Sequence, residues 1–128
     1  MTWLLLLALF GAIGSLIRFH VGGFVHSSVN KALASENEFP FGTLFVNVAG
    51  SFLLGFLAGV AVFRSLDPLV MTVLGTGLCG ALTTFSTLAV DLQRFLRDRR
   101  HGHAAMNLIL TLAAGLGAAW LGFALARP

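Results

Sequence analysis

Gly80-Ala81-Leu82-Thr83-Thr84-Phe85-Ser86-Thr87 lies inside a run that carries no charged residue from Pro68 to Val90. A glycine and four hydroxyls around one phenylalanine make a poor lipid-facing surface, because an unpaired polar group in hydrocarbon is strongly penalised. The segment is therefore expected to pack on protein or to line a watery path, with its helix interrupted at the hydroxyls. No proline falls inside any of the candidate spans, so the interruption has to come from glycine and hydroxyl chemistry.

Outward from this segment the chain is apolar almost throughout. Of its 128 residues, 57% are hydrophobic and 10% charged, values of an integral membrane protein. Phe41–Phe63, Pro68–Val90 and Ala104–Ala126 lack Asp, Glu, Lys and Arg, and each exceeds the roughly 20 apolar residues that a spanning helix needs. A fourth stretch, Trp3 to about Val25, is interrupted only by Arg18 and His20. The expected fold is an all-α integral membrane domain over residues 1–128, with transmembrane helices at about 3–25, 41–63, 68–92 and 104–126. The N-terminus has no basic region before its apolar run, so the first span reads as retained and not as a signal peptide.

The single Cys79 excludes an intrachain disulfide, and no Cys/His spacing suggests a metal cluster. A formal net charge of +3 suits loops facing acidic headgroups and is too small to argue for nucleic acid. His26 to Glu38 reads as a polar connector, Pro40 opens the second helix, and Asp67 stands as N-cap before Pro68. Arg94, Arg97, Arg99, Arg100, His101 and Gly102 read as the end of the third helix and a basic loop. With four spans both termini share a side with Arg64 and Arg127. Lys31 and the basic loop lie opposite, so the positive-inside rule places the termini outside.

Two polar stripes run inside the spans. Thr43, Asn47, Ser51, Gly55 and Gly59 recur every fourth residue in the second helix, and Asn107, Thr111, Gly115 and Ala119 do so in the fourth. Gly55-x-x-x-Gly59 fits a close-packing seam, and hydroxyls can satisfy their own backbone. Asn47 is read as a pathway residue ahead of a packing one, since its amide carries two donors and an acceptor. Arg18 is the one permanent charge well inside a span; both a structural anchor near the helix end and an anion-attracting vestibule charge fit it. Asp91 follows the third uncharged window and reads as solvated at the interface.

Donors dominate this inventory: amides, hydroxyls and one arginine, with no carboxylate in the uncharged windows. A path so lined favours an anion, whereas a cation transporter would be expected to present a buried acid. Phe85, with polar neighbours on both sides, can add the positive edge of its ring. No nucleophile–base pair or metal-ligand set points to an enzyme.

These residues together resemble the Fluc (CrcB) family of fluoride channels. The resemblance covers essentially the whole chain through Gly11-x-x-Gly14-x-x-x-Arg18, Gly42-Thr43-Leu44-x-Val46-Asn47 with Gly50-Ser51, and Gly77-x-x-Gly80-x-x-Thr83-Thr84-Phe85-Ser86-Thr87. It implies an inverted (antiparallel) dimer of four-helix subunits in the cell inner (plasma) membrane, exporting cytoplasmic fluoride passively down its gradient. It further implies a structural sodium ion held by the backbone carbonyls of Gly80 and Thr83. Asn47 and Phe85 would line the fluoride path, with hydroxyls from Ser86, Thr87 and Thr111 and the matching arginine Arg18. The chain departs from the family pattern at Leu88, where a second phenylalanine is usual, at Gly115 in place of a serine, at Asn107 in place of an aromatic residue, and at Ala81 in place of a glycine. Leu88 and the uneven loop charges leave open a heterodimer with a Phe-bearing paralogue, or a non-conducting subunit. A small drug-efflux transporter is the other alternative, with Asp91 as its one plausible acid.

Overall fold

Four helices in the computed structural model are long and apolar enough to cross a membrane: Thr2–Ala32, Phe41–Arg64, Pro68–Arg97 and His101–Leu125. The structure describes residues 1–33 and 39–128, among which there is no strand. The chain is thus an all-helical, multi-pass membrane protein. Part of the expected connector, residues 34–38, lies outside the described residues.

Helix α1 (Thr2–Ala32) runs past the expected end near Val25. The polar residues beyond Val25 stay helical because their side chains find partners. Ser27 Oγ donates to the Phe24 carbonyl at 3.1 Å. Buried Asn30 donates from Nδ2 to the carbonyls of His26 and Phe39, both at 3.0 Å, and its Oδ1 accepts the Phe39 N–H at 3.3 Å. Asn30 therefore ties the end of α1 to the start of α2 (Phe41–Arg64). At 1.5 Å per residue α1 is about 46 Å long, well beyond the hydrocarbon thickness of about 30 Å. Arg18 consequently sits near the middle of α1 and not near its end.

The third span begins as expected, with Asp67 Oδ1 accepting the Leu69 N–H at 2.7 Å and Pro68 in the first turn. Its backbone then changes type four times. A short α3 (Pro68–Val70) leads into a π-helical segment, Met71–Cys79, followed by α4 (Gly80–Leu82). Thr72 Oγ1 donates to the Pro68 carbonyl at 2.8 Å, an acceptor that a regular helix would give to the Thr72 N–H alone. Thr83 (φ −79°, ψ 153°) and Thr84 (φ −149°, ψ 117°) are extended, and α5 (Phe85–Arg97) resumes the helix. α5 continues beyond the expected end near residue 92, with Arg94 and Arg97 in a last turn whose carbonyls favour cations. The basic loop shrinks to Asp98, Arg99 and Arg100, closed by Arg99 at a φ of 56°, before α6 (His101–Leu125).

Packing is most extensive between α2 and α6. A Cβ added at Gly55 would run into the backbone of Ala119, and one at Gly122 into the backbone of Phe52 and Phe56. One at Gly59 would lie 2.8 Å from the Phe123 carbonyl, and one at Gly115 lies 3.4 Å from Ser51 Oγ. Ser51, Gly55 and Gly59 thus face Gly115, Ala119 and Phe123 in one constant register, which brings Asn47 level with Thr111 and Thr43 level with Asn107. The glycine ends of the two stripes form a packing seam, in which backbone approaches backbone at a distance that only a missing side chain permits. α1 meets the π-helical segment in the same manner, with Gly14 against Leu78 and Gly77 against Leu7 and Phe10.

Gly55→Val should lower the thermal unfolding midpoint of the purified protein in detergent, by overpacking worth about 1–3 kcal/mol or more. Gly117→Ala, where an added Cβ meets nothing within 4 Å, should leave the midpoint unchanged.

Candidate functional site: the third-span interruption and its two grooves

Thr84 is buried, and its backbone closes on one side chain. Its N–H donates to Asn47 Oδ1 at 2.7 Å, while Asn47 Nδ2 donates to the Thr84 carbonyl at 3.1 Å. The carboxamide of α2 thus replaces, for one residue, the hydrogen bonds that the helix gives up. The Thr84 hydroxyl starts the next helix: Oγ1 accepts the Thr87 N–H at 3.2 Å and lies 3.1 Å from Ser86 Oγ and 3.0 Å from Thr87 Oγ1. This is an N-cap, worth about 1 kcal/mol in typical helices. Thr83 fits beside α2 only because Gly50 has no side chain, since a Cβ there would run into Thr83 Cγ2.

The diverted donors identify the carbonyls that are released. An unbroken helix would send the Thr84 N–H to the Gly80 carbonyl and the Thr87 N–H to the Thr83 carbonyl. Here the first goes to Asn47 and the second to the Thr84 hydroxyl. Gly80 and Thr83 are thus among residues 80–83, whose carbonyls an interruption here takes out of the usual helical pairing. Among the described residues no group of three or more His, Cys, Asp or Glu gathers.

Two grooves flank the interruption, and Thr84 borders both. The first, about 330 Å³, is lined by Asn47, Ser51, Thr83, Phe85, Leu88 and Thr111, among others. The second, about 440 Å³, is lined by Arg18, His26, Thr43, Thr87, Asp91 and Arg94, among others. The residues expected along one path are thus divided: Asn47, Phe85 and Thr111 on one side, Arg18 and Thr87 on the other. Ser86 joins them through the Thr84 hydroxyl. Phe85 is 75% exposed, whereas Leu88, one turn on, is 2% exposed and forms part of the groove floor.

Two expectations change in detail. Asn47 does line the first groove, but its oxygen and one of its N–H groups are engaged by Thr84, which gives it a structural task as well. Asp91 is not simply solvated at an interface; it accepts a hydrogen bond from Thr43 Oγ1 at 3.0 Å inside the second groove. Thr84 itself was missing from the expected set. The Thr84-x-x-Thr87 spacing was the available signal, since a hydroxyl three residues before a backbone N–H is N-cap geometry.

Four spans, an extended pair of residues inside the third, and a cleft lined by hydroxyls, an amide and a ring define a small multi-pass membrane protein with a donor-rich interior. The family model described as "CrcB-like protein, Camphor Resistance (CrcB)" matches residues 5–123, and the chain belongs to that family. It is 44% identical over 126 residues to "Fluoride-specific ion channel FluC 1" of Symbiobacterium thermophilum, covering 98% of this chain and 97% of the relative. It is 44% identical over 121 residues to "Fluoride-specific ion channel FluC 2" of Rhodococcus jostii, covering 94% and 96%. It is 37% identical over 128 residues to "Fluoride-specific ion channel FluC" of Geobacter metallireducens, covering 99% and 98%.

Thr84→Ala should cost about 1 kcal/mol through the lost cap. Asn47→Leu should cost more, about 1–3 kcal/mol, because it strands both backbone groups of Thr84 in a dry environment. Unfolding midpoints of the two variants should therefore fall in that order.

Proposed function

We propose that this chain is a fluoride-selective channel, which lets fluoride leave the cytoplasm across the inner membrane down its electrochemical gradient. The observation that carries this reading is the first groove. It offers the Thr111 hydroxyl, the second Nδ2 proton of Asn47 and the exposed Phe85 ring, with no carboxylate among its lining residues. The names of the relatives, fluoride-specific ion channels matched over nearly their full length, support the choice of ion and of a channel over an enzyme.

The chemistry follows from the donors. Fluoride sheds water only where other groups replace it, and hydroxyl and amide protons are such groups. A phenyl edge adds weak positive potential without a full charge that would trap the ion. Arg18 in the second groove attracts anions towards the interruption, and Asp91 there accepts from Thr43 at one of its two oxygens, Oδ2.

The working assembly is an inverted homodimer. Its support is the exposure of Phe85 in the single chain, since a ring meant for an ion path needs a covering wall. A sodium ion held by the Gly80 and Thr83 carbonyls would use two of the oxygens that the interruption releases, and dimer symmetry would supply each twice. Bound there, sodium would stiffen the junction of the two chains; the ion path itself uses the side-chain donors.

Fluoride efflux from liposomes that contain only this purified chain is expected to be rapid, with chloride retained. Phe85→Ile should slow it by at least about tenfold, while the dimer stays intact on a sizing column; about 1.4 kcal/mol of lost ion stabilisation suffices for that. Absence of flux from a well-folded wild-type dimer would reject the self-sufficient channel in favour of a subunit that needs a paralogue. Replacing sodium by N-methylglucamine at constant ionic strength should lower the unfolding midpoint of the dimer, and an unchanged midpoint would count against the sodium site.

A further inference from the structure

His26 is half-buried on α1 and lines the second groove. An imidazole gains or loses its charge between about pH 5 and 8, which no arginine does. The contact with Asn30 selects one form of the ring. Asn30 Oδ1 accepts the Phe39 N–H at 3.3 Å, so the amide turns only its Nδ2 towards His26. That Nδ2 lies 3.3 Å from His26 Nδ1, and an amide nitrogen has protons to give and no lone pair to offer. Nδ1 is therefore the acceptor, which is neutral imidazole with its proton on Nε2. A second proton would enter at Nδ1 and set two donors against each other.

The other groups around the ring are charged. Arg18 of α1 and Asp91 and Arg94 of α5 line the same groove, and Asp91 lies within electrostatic reach of His26. α2 packs on His26 at Gly42, where an added Cβ would sit 3.1 Å from His26 Cβ, and it brings Thr43 but no titratable group to this groove.

We propose that His26 is a proton-operated charge in the second groove, resting on Asn30 when neutral and turning towards Asp91 when protonated, and that its protonation strengthens fluoride uptake there. The assignment rests on the fluoride-channel reading for its ion and on the Asn30 contact for the two positions of the ring. Among the charged lining residues Arg18 and Arg94 outweigh Asp91 by one positive charge, and an imidazolium raises that excess to two. On the Asn30 side the exchange gives up only the 3.3 Å contact. Asn30 keeps the carbonyls of His26 and Phe39, both at 3.0 Å, so the junction of α1 and α2 stays closed while the ring moves. The sign is fixed: uptake strengthens as the solution on that side becomes acidic. Hydrogen fluoride releases one proton with each fluoride when it ionises, so the event that supplies the ion also primes the groove that collects it.

The test uses the full-length protein and two readouts. The first is the titration of the His26 ring by NMR in equal concentrations of sodium fluoride and sodium chloride, with His20, His101 and His103 replaced by Gln so that one imidazole remains. Linkage makes a tenfold gain in fluoride affinity equal to a rise of about one pH unit in the titration midpoint, and a rise of that order in fluoride is expected. The second is fluoride efflux from liposomes at pH 8 and pH 6, corrected by protein-free liposomes for leakage of hydrogen fluoride. Efflux should rise by up to about tenfold at the lower pH, the lower end of what a charged cleft does to local ion concentration. His26→Gln should remove that rise, while His20→Gln, on an exposed face of α1 with Nδ1 at the Leu16 carbonyl, should keep it. Equal midpoints in the two salts would overturn the proposal. A rise in efflux that survives His26→Gln would overturn it too, and would move the pH dependence to Asp91. A protein that does not conduct at either pH, yet whose His26 midpoint rises in fluoride, would reject the channel reading and keep the proton-operated charge.

Discussion

A single carboxamide holds the centre of this protein. Helical membrane proteins satisfy their backbone within each span, and a span that gives up that satisfaction needs a substitute from a neighbour. Asn47 is the substitute: it accepts from the Thr84 N–H and donates to the Thr84 carbonyl, as an adjacent strand would. The extended torsions of Thr83 and Thr84, the N-cap of α5 and the release of the Gly80 and Thr83 carbonyls all depend on that exchange. The missing side chain at Gly50 lets α2 and the third span approach closely enough for it to form.

Division of the interior into two grooves follows from the same residue. Thr84 lies between them with backbone and hydroxyl already committed, so it separates a cationic, wider space around Arg18 from a smaller one lined by Phe85 and Thr111. In the proposed channel, an anion drawn by full charge around Arg18 would meet only dipoles and a ring edge beside Phe85. Attraction and passage would then fall to different chemistry, which avoids a deep well at any one point.

Much of this was legible in the sequence, and the reasons for what was not are specific. The uncharged windows gave the spans because hydrocarbon tolerates no alternative composition. Asp67-Pro68 and the four-residue stripes were visible because caps and helical spacing are local properties. The end of α1 was misjudged because Asn30 is stabilised by Phe39, a partner beyond the helix that no local pattern reveals. The end of the third span was placed early, near residue 92, because Arg94 and Arg97 lie beyond the apolar window, although a helix C-terminus favours cations. At the site, residue types were legible and pairings were not. Sequence lists the donors of Asn47 but cannot say that Thr84 will claim them, nor that Asn107 will be left with all of its own.

The extended pair at Thr83 and Thr84 also bears on how the chain is assembled. The helical pieces on either side, residues 68–82 and Phe85–Arg97, are each shorter than the roughly 20 residues that cross a bilayer. During insertion, before α2 has docked, the Thr84 N–H at membrane depth has one good acceptor within its own segment, the Gly80 carbonyl. Without Asn47, a continuous helix is the arrangement that pairs the Thr84 backbone, so the opening of the third span is coupled to its docking on α2.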